Sequence, residues 1–479
     1  MDVLDKFQHE AIAFLNAASG RCIYADPMGA RKTGTTLTWL AQSPARRTLL
    51  VVPKVVFGHW QREAARFAPE HRVMVGAGSA KDRELARLHT TEISGPTIYL
   101  TSYGALTRDS LSGFDTVVFD EGHRLKGRTT QVAKSANKVT AAAKQIVCAT
   151  GTPALNHPHE MWQYLHMIDR RKYSAFWTWA ESHFVITHKQ HKRNGPMVRH
   201  IGDFLPGHEE ILRNELIGIL LQRELHDIFD EAEHPWIAEP QYVPIEVELS
   251  PKERAFYNQL VKHSWGKTPT GLVTATNRAV VNTRLEQITS DWGGLDDEFE
   301  NGSKVSATVA LVHEDLARRE PVVIFAKYKA TVHRLFNALW EKGHSVVALT
   351  GDNEKLHDDL VQDYKDGKVD IVVGTYGSMR EGLDGLQFRS AQMVLLDLDW
   401  VPGLNEQAIG RLRRSGQRGV VTVYVVFANG TVDATKYEGN LRKVNLARRL
   451  KGQDISNIIY GRPVFEDMGD DDEIEIADE

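Results

Sequence analysis

Short apolar runs of high β-propensity recur along the first third of the chain, at 21–25, 48–52, 97–101, 116–120 and 145–149. Between them lie segments with helical spacing of apolar positions, such as 58–67 and 131–143. A second series of the same kind follows at 322–326, 345–350, 371–375, 393–397 and 420–427. Strands that alternate with helices pair in parallel and are wrapped by the helices on both faces. Two such series predict an α/β chain of two similar parallel-sheet lobes. Residues 155–300 between them are less regular: a basic, aromatic stretch at 177–200 is followed by segments 218–225 and 246–260. Within the basic stretch, Asn194-Gly195 is a hairpin signal. This region reads as helical insertions plus a linker. The expected division is a first lobe with its insertion at 1–235, a linker with a helical insertion at 236–300, and a second lobe at 301–445. A brace helix at 446–465 and a tail at 466–479 complete it.

Length agrees with this pattern, since 479 residues at about 150 per domain suggest two or three domains. Composition is that of a soluble globular chain, 42% hydrophobic and 25% charged. The longest apolar runs, at 48–53 and 420–428, are far shorter than the roughly 20 residues of a membrane helix. The opening MDVLDKFQHEAI lacks the basic-then-apolar order of a signal peptide. Two cysteines, Cys22 and Cys148, exclude a disulfide framework or a zinc module and fit a reducing compartment. A net charge of −5 argues at first against a nucleic-acid partner, but residues 466–479 carry nine acids and no base. Without that tail, which reads as disordered, the remainder is +4.

Three segments carry the candidate chemistry. The first strand ends in YADPMGARKTGTT, residues 24–36. A small-residue turn before Lys-Thr at a helix start can wrap phosphates: backbone N–H groups from Met28, Gly29, Ala30 and Arg31 face the anion, Lys32 adds a charge, and Thr33 can ligate Mg²⁺. Arg31 stands where the pattern wants a second glycine, and a solvated turn is the alternative reading. The run at 116–119 leads into Asp120-Glu121-Gly122-His123. Paired carboxylates after an apolar strand suit a metal (Asp120) and an attacking water (Glu121), or simply a polar turn. The third is NEQAIGRLRRSGQ, 405–417, in which Arg411 and Arg414 are expected on one face of a helix, placed to clamp developing charge. A basic solvated helix is the alternative.

Taken in order, these segments resemble the Swi/Snf family of superfamily-two helicase-like ATPases, over about residues 4–430. Phe7-Gln8 matches that family's adenine-contacting element, and ADPMGARKT resembles its ADEMGLGKT loop with Pro27 and Arg31 as departures. VVPKVVFGHWQREAARF (51–67), TSYGAL (101–106), DEGH (120–123) and ATGTPALN (149–156) follow in the family order. LQRELHDI, IEVELSPKERAFYNQL, VVIFAKYKATVHRL, LTGD, VVGTYGSMREGLDGLQ (372–387) and LDLDWVPGLNEQAIGRLRRSGQ (396–417) complete the series. The resemblance implies two RecA-like lobes using ATP and Mg²⁺. It assigns adenine contact to Gln8, phosphate and Mg²⁺ contact to Lys32 and Thr33, and the metal and water carboxylates to Asp120 and Glu121. His123 and Thr152 become coupling residues. Gly382, Gln407, Arg411 and Arg414 approach the nucleotide from the second lobe, and Lys54, Thr101, Ser102, Thr150 and Thr375 meet nucleic acid. The implied activity is an ATP-dependent motor on duplex DNA in remodelling, repair or replication, within a bacterial or phage-infected cytoplasm. A strand-separating DNA or RNA helicase is one alternative; a weakly catalytic DNA-binding module, compromised by Arg31, is another. Lys189, Lys192, Arg193 and Arg199 are candidate grips on the DNA backbone, and the acidic tail is a candidate competitor for the basic cleft.

Overall fold

The computed structural model describes residues 4–151, 153, 157–190, 197–379 and 384–451. Gly382, Thr152, Lys192, Arg193, the Asn194-Gly195 turn and the acidic tail lie outside the described residues. The chain divides into two units, the first taking in the sequence to Ile228 and the second beginning at Phe229.

In the first unit, β1 (Arg21–Tyr24), β2 (Arg47–Val52), β3 (Arg72–Val75), β4 (Thr97–Ser102), β5 (Thr116–Phe119) and β6 (Gln145–Ala149) join a short later strand in one sheet. An antiparallel hairpin, β7 (Phe184–Gln190) and β8 (Met197–Phe204), precedes that strand, β9 (Leu220–Leu221). The sheet order is β3-β4-β2-β5-β6-β1-β9, with every pairing parallel. Alternate residues feed two cores. Ile23, Leu49, Val51, Val117, Phe119, Ile146 and Cys148 face one side; Cys22, Tyr24, Leu50, Val52, Val118 and Val147 face the other. Burial on both faces explains why these strands read as continuous apolar runs instead of alternating ones. It also leaves both cysteines as buried free thiols.

The second unit contains β10 (Gln241–Val247), a small hairpin of β11 (Trp265–Lys267) and β12 (Leu272–Thr274), then β13 (Val322–Ala326), β14 (Val346–Leu349), β15 (Ile371–Thr375), β16 (Gln392–Leu395) and β17 (Thr422–Ala428). Its main sheet runs β10-β17-β16-β13-β15-β14, again parallel. Residues 236–300, expected as linker and insertion, are instead part of this body: β10 pairs along its full length with β17, and helices Pro251–His263 and Arg278–Asp291 bury Phe256, Leu260, Leu285 and Ile288 against Ala428 and Val432. Ser250 opens the first of these helices with a capping box to Glu253 and proline at its first turn. The expected brace helix at 446–465 is the far end of one helix, Val432–Lys451, and the rest of that span lies outside the described residues.

Candidate nucleotide site of the first unit

All strands of the first sheet point the same way, so the loops after β1, β2, β4, β5 and β6 leave from one edge. In open parallel sheets this carboxyl edge is where ligands bind. Here it gathers the phosphate-loop candidate, Lys54, Ser102, Asp120-Glu121 and Thr150.

The loop after β1 turns at Gly29 (φ 86°) and enters helix Lys32–Gln42 through Arg31, which is left-handed at φ 51° and ψ 37°. A residue with a Cβ pays about 1–2 kcal/mol for that conformation, and glycine does not. The Arg31 side chain reaches Asp5, with Nη1 donating to Asp5 Oδ2 at 2.7 Å. Lys32 Nζ donates to two carbonyls of its own loop, those of Asp26 at 2.7 Å and Pro27 at 2.9 Å. Burial pushes the ammonium pKa down against the opposing pull of Glu121, Asp26 and Asp120. Gly151 packs beside this loop: a Cβ there would meet Met28 Cγ at 3.2 Å and Lys32 Nζ at 3.9 Å.

Asp120 emerges at the end of β5. One carboxylate oxygen accepts from Trp60 Nε1 at 3.0 Å, and the other accepts the Glu121 N–H at 3.0 Å. The Asp120 carbonyl accepts from Tyr103 Oη at 2.6 Å. Trp60 and Tyr103 belong to the segments that sequence reading matched to family motifs without giving either residue a role. Glu121 is also left-handed (φ 53°), and its Oε2 lies 3.1 Å from His123 Nδ1. Two non-glycine residues in strained backbone thus sit on the two loops that carry the candidate chemistry, as strain at functional sites tends to do. Burial and the adjacent Glu121 push the Asp120 pKa up to about 7, with Trp60 and Lys32 opposing.

This donor set fits Mg²⁺ bound with nucleotide phosphates. Burial and the neighbouring Glu121 disfavour the charged Asp120 carboxylate, which a cation would relieve, and the Thr33 hydroxyl lies in the first turn of the phosphate-loop helix. Among the described residues no cluster of three or more His, Cys, Asp or Glu could cage a metal alone. Mg²⁺ habitually takes few protein ligands and completes its shell with phosphate and water.

Gln8 is buried and engaged on both sides, Oε1 accepting the Asp5 N–H at 3.0 Å and Nε2 donating to Thr35 Oγ1 at 3.1 Å. It is thereby fastened to the phosphate-loop helix. Arg223, not among the candidate residues, grips Asp26 with Nε at 2.9 Å and Nη2 at 2.5 Å.

The nucleic-acid candidates separate. Lys54 is exposed, and Ser102 is half-buried at the tip of β4 with its hydroxyl capping the following turn. Thr101 and Thr150 are 0% and 1% exposed, so their hydroxyls do not reach a surface ligand as expected. Alternation along the strand turns Thr101 inward, and the Thr150 N–H is held by the Tyr24 carbonyl.

In the second unit, Gln407 is buried on helix Pro402–Ile409, which ends at Gly410. Arg411 and Arg414 therefore lie in turns beyond the helix and not on one helical face, as sequence spacing predicted; the Arg411 N–H donates to Ala408 and the Arg414 N–H to Leu412. Arg414 pairs with Asp384 at 3.3 Å. Thr375 folds onto Ser378 at 2.9 Å. Behind these residues, the first aspartate of LDLDW is buried: Asp397 and Asp433 share the Lys304 ammonium at 3.1 and 2.6 Å. Trp400 donates to Glu286 at 2.7 Å.

A parallel sheet with a lysine-bearing loop after one strand and a carboxylate pair after another is the layout of a nucleoside-triphosphate-binding α/β protein. Residues 7–291 match the SNF2-related domain, and residues 303–416 match the helicase conserved C-terminal domain. The chain belongs to the SNF2-related family. An ATP-dependent helicase of Mycoplasma genitalium is 23% identical over 95% of this chain and 43% of its own length. The human DNA annealing helicase and endonuclease ZRANB3 is 23% identical over 89% of this chain and 38% of its own. This chain spans less than half the length of these curated relatives. Among solved structures, the helicase domain of Pyrococcus furiosus Hef shares the fold, with a TM-score of 0.50 and 14% identity over 90% of this chain and 97% of that one. No helix among the described residues is long and apolar enough to cross a membrane.

Proposed function

We propose that this chain is an ATP-dependent motor that moves along duplex DNA. The observation that carries the reading is the meeting of Lys32, Asp120 and Glu121 at one carboxyl edge, where the two carboxylates act on the Lys32 ammonium and Glu121 and Lys32 act on Asp120. Bound Mg²⁺ supplies positive charge at the transferring phosphoryl group. Lys32 exchanges its two loop carbonyls for phosphate oxygens. Trp60 and the Glu121 N–H hold the Asp120 carboxylate in one orientation for the metal, and Glu121, restrained by His123, orients and deprotonates the attacking water. Gln8 approaches the adenine. Residues around Lys54, Ser102 and Thr375 hold the DNA backbone, which positions the protein without reading sequence. The DNA part of the reading is supported by relatives such as ZRANB3, whose name describes a DNA annealing helicase.

ATPase rate measured without polymer and with duplex DNA, single-stranded DNA or RNA tests this, beside Lys32→Ala and Glu121→Gln. Stimulation by duplex DNA that both variants lose is the expected result. Stimulation chiefly by single strands or RNA points to a strand-separating helicase. DNA binding with no turnover on any polymer makes the chain a binder and refutes the motor.

A further inference from the structure

Arg223 is distant in sequence from the candidate site, yet its guanidinium reaches Asp26, Glu10 and the Phe7 carbonyl there. It reaches the site because β9 pairs in parallel beside β1, with Ile23 opposite Leu220 and Tyr24 opposite Leu221. The chain leaving β9 therefore emerges at the same edge as Asp26, two residues past the end of β1. There the Arg223 fork holds both Asp26 oxygens. The same guanidinium donates to the Phe7 carbonyl at 3.0 Å and to Glu10 Oε2 at 3.1 Å. Asp26 is fully buried and the Arg223 side chain is 13% exposed. Burial by itself would lower the Arg223 pKa, but the bond to Asp26 together with the charges of Asp26, Tyr24 and Glu10 outweighs it and raises the value.

These contacts fall on two different parts of the candidate site. Asp26 opens the phosphate loop, and its carbonyl is one of the two that hold Lys32. Phe7 and Glu10 flank Gln8 on helix Lys6–Ala17. We propose that Arg223 is a positioning residue that fixes the register between the base-side helix and the phosphate loop, and so sets how well the site distinguishes adenine nucleotides. This deepens the reading given under Proposed function and rests on it. Arginine suits the task because its planar fork can serve a carboxylate and a carbonyl together; a lysine ammonium can neutralise Asp26 but cannot hold the whole arrangement.

The test is displacement of a fluorescent ATP analogue, in Mg²⁺, by ATP, GTP and inorganic tripolyphosphate, with thermal melting recorded in parallel. In Arg223→Lys the loop's charge stays paired and the helix is released. We expect tripolyphosphate affinity within about twofold of wild type, ATP affinity down roughly tenfold, and a narrowed ATP-over-GTP ratio, the scale of one or two charge-assisted hydrogen bonds. The double variant Arg223→Met/Asp26→Asn removes both charges, so no buried ion is stranded, and must narrow the same ratio if Arg223→Lys folds poorly. An unchanged ATP-over-GTP ratio, or equal loss of ATP and tripolyphosphate, overturns the proposal, because a purely structural ion pair would alter melting alone. A wild type that binds no nucleotide sinks the functional reading first. One that binds ATP and GTP equally sinks the base-side assignment of Gln8, and this inference with it.

Discussion

Arg31 is the residue at which this chain departs most plainly from a glycine-rich phosphate loop, and its geometry yields a measurable difference. Its backbone is left-handed, at φ 51°. Its side chain is bound to Asp5 at 2.7 Å, with about half of each side chain exposed (54% and 42%). Arg31→Ala removes the ion pair and keeps the strain, at a cost of about 0.2–1 kcal/mol typical of exposed pairs. Arg31→Gly removes both. Relief of the left-handed penalty, roughly 1–2 kcal/mol, is partly offset by about 0.5–1 kcal/mol of extra unfolded-state entropy for glycine. Arg31→Gly should therefore be more stable than Arg31→Ala by about 0.5–1 kcal/mol and close to wild type. Urea unfolding followed by tryptophan fluorescence reads this as a higher midpoint for glycine at equal slope. Because Lys32, Asp120 and Glu121 are left in place by either change, DNA-stimulated ATPase should persist in both variants. An alanine variant as stable as the glycine one would mean that the loop is not strained at Arg31. Loss of hydrolysis in both would mean that the arginine itself contacts the nucleotide.

Lys304→Met removes the ammonium that Asp397 and Asp433 share, leaving Asp397 to the Ser290 hydroxyl and Lys327 N–H and Asp433 to Lys436 at 3.7 Å, and should destabilise the second unit by about 3 kcal/mol in chemical denaturation; a loss under 1 kcal/mol would show the network to be dispensable. His159 is held neutral to about pH 4 by burial, His157 and Arg128. Its folded pKa is below its unfolded value, so its contribution is complete above pH 6.5 and falls as pH drops from 6.5 toward 4. With the side chain partly solvated, the loss across that window is about 2 kcal/mol. His159→Gln should flatten urea stability between pH 7.5 and 5, and a wild-type pH profile in the variant would contradict the assignment. Glutamine at Lys189, Lys192, Arg193 and Arg199 should lower the salt slope of DNA binding by roughly one for each phosphate contact removed, whereas an unchanged slope would mean that the segment does not touch the backbone.

Local signals carried much of the architecture. A buried parallel strand must be an apolar run, and a phosphate loop or a metal carboxylate must follow such a run directly, so the strands ending near Asp26, Asp120 and Thr150 were legible from neighbouring residues alone. Lys32, Asp120 and Glu121 became candidates in this way. Three strands of the parallel sheets lacked that signal: β3 and β10, with mostly partly buried or exposed side chains, and β9, two residues long, whose parallel place beside β1 nothing nearby specifies. The orientation of Thr101 depended on strand register, which decides which face a residue occupies. The turns that carry Arg411 and Arg414 depended on the helix stopping at Gly410, where the spacing of charges alone suggested that it continued.

The order of elements and the chemistry next to each strand end are written in consecutive residues and could be read there. The partners came from folding in three dimensions: Trp60 on Asp120, Gln8 on Thr35, β10 beside β17, and Arg223 on Asp26 across 197 positions. Such pairs arise when a parallel sheet brings distant segments to one edge, and a chain read residue by residue holds no local trace of which strand will lie beside which.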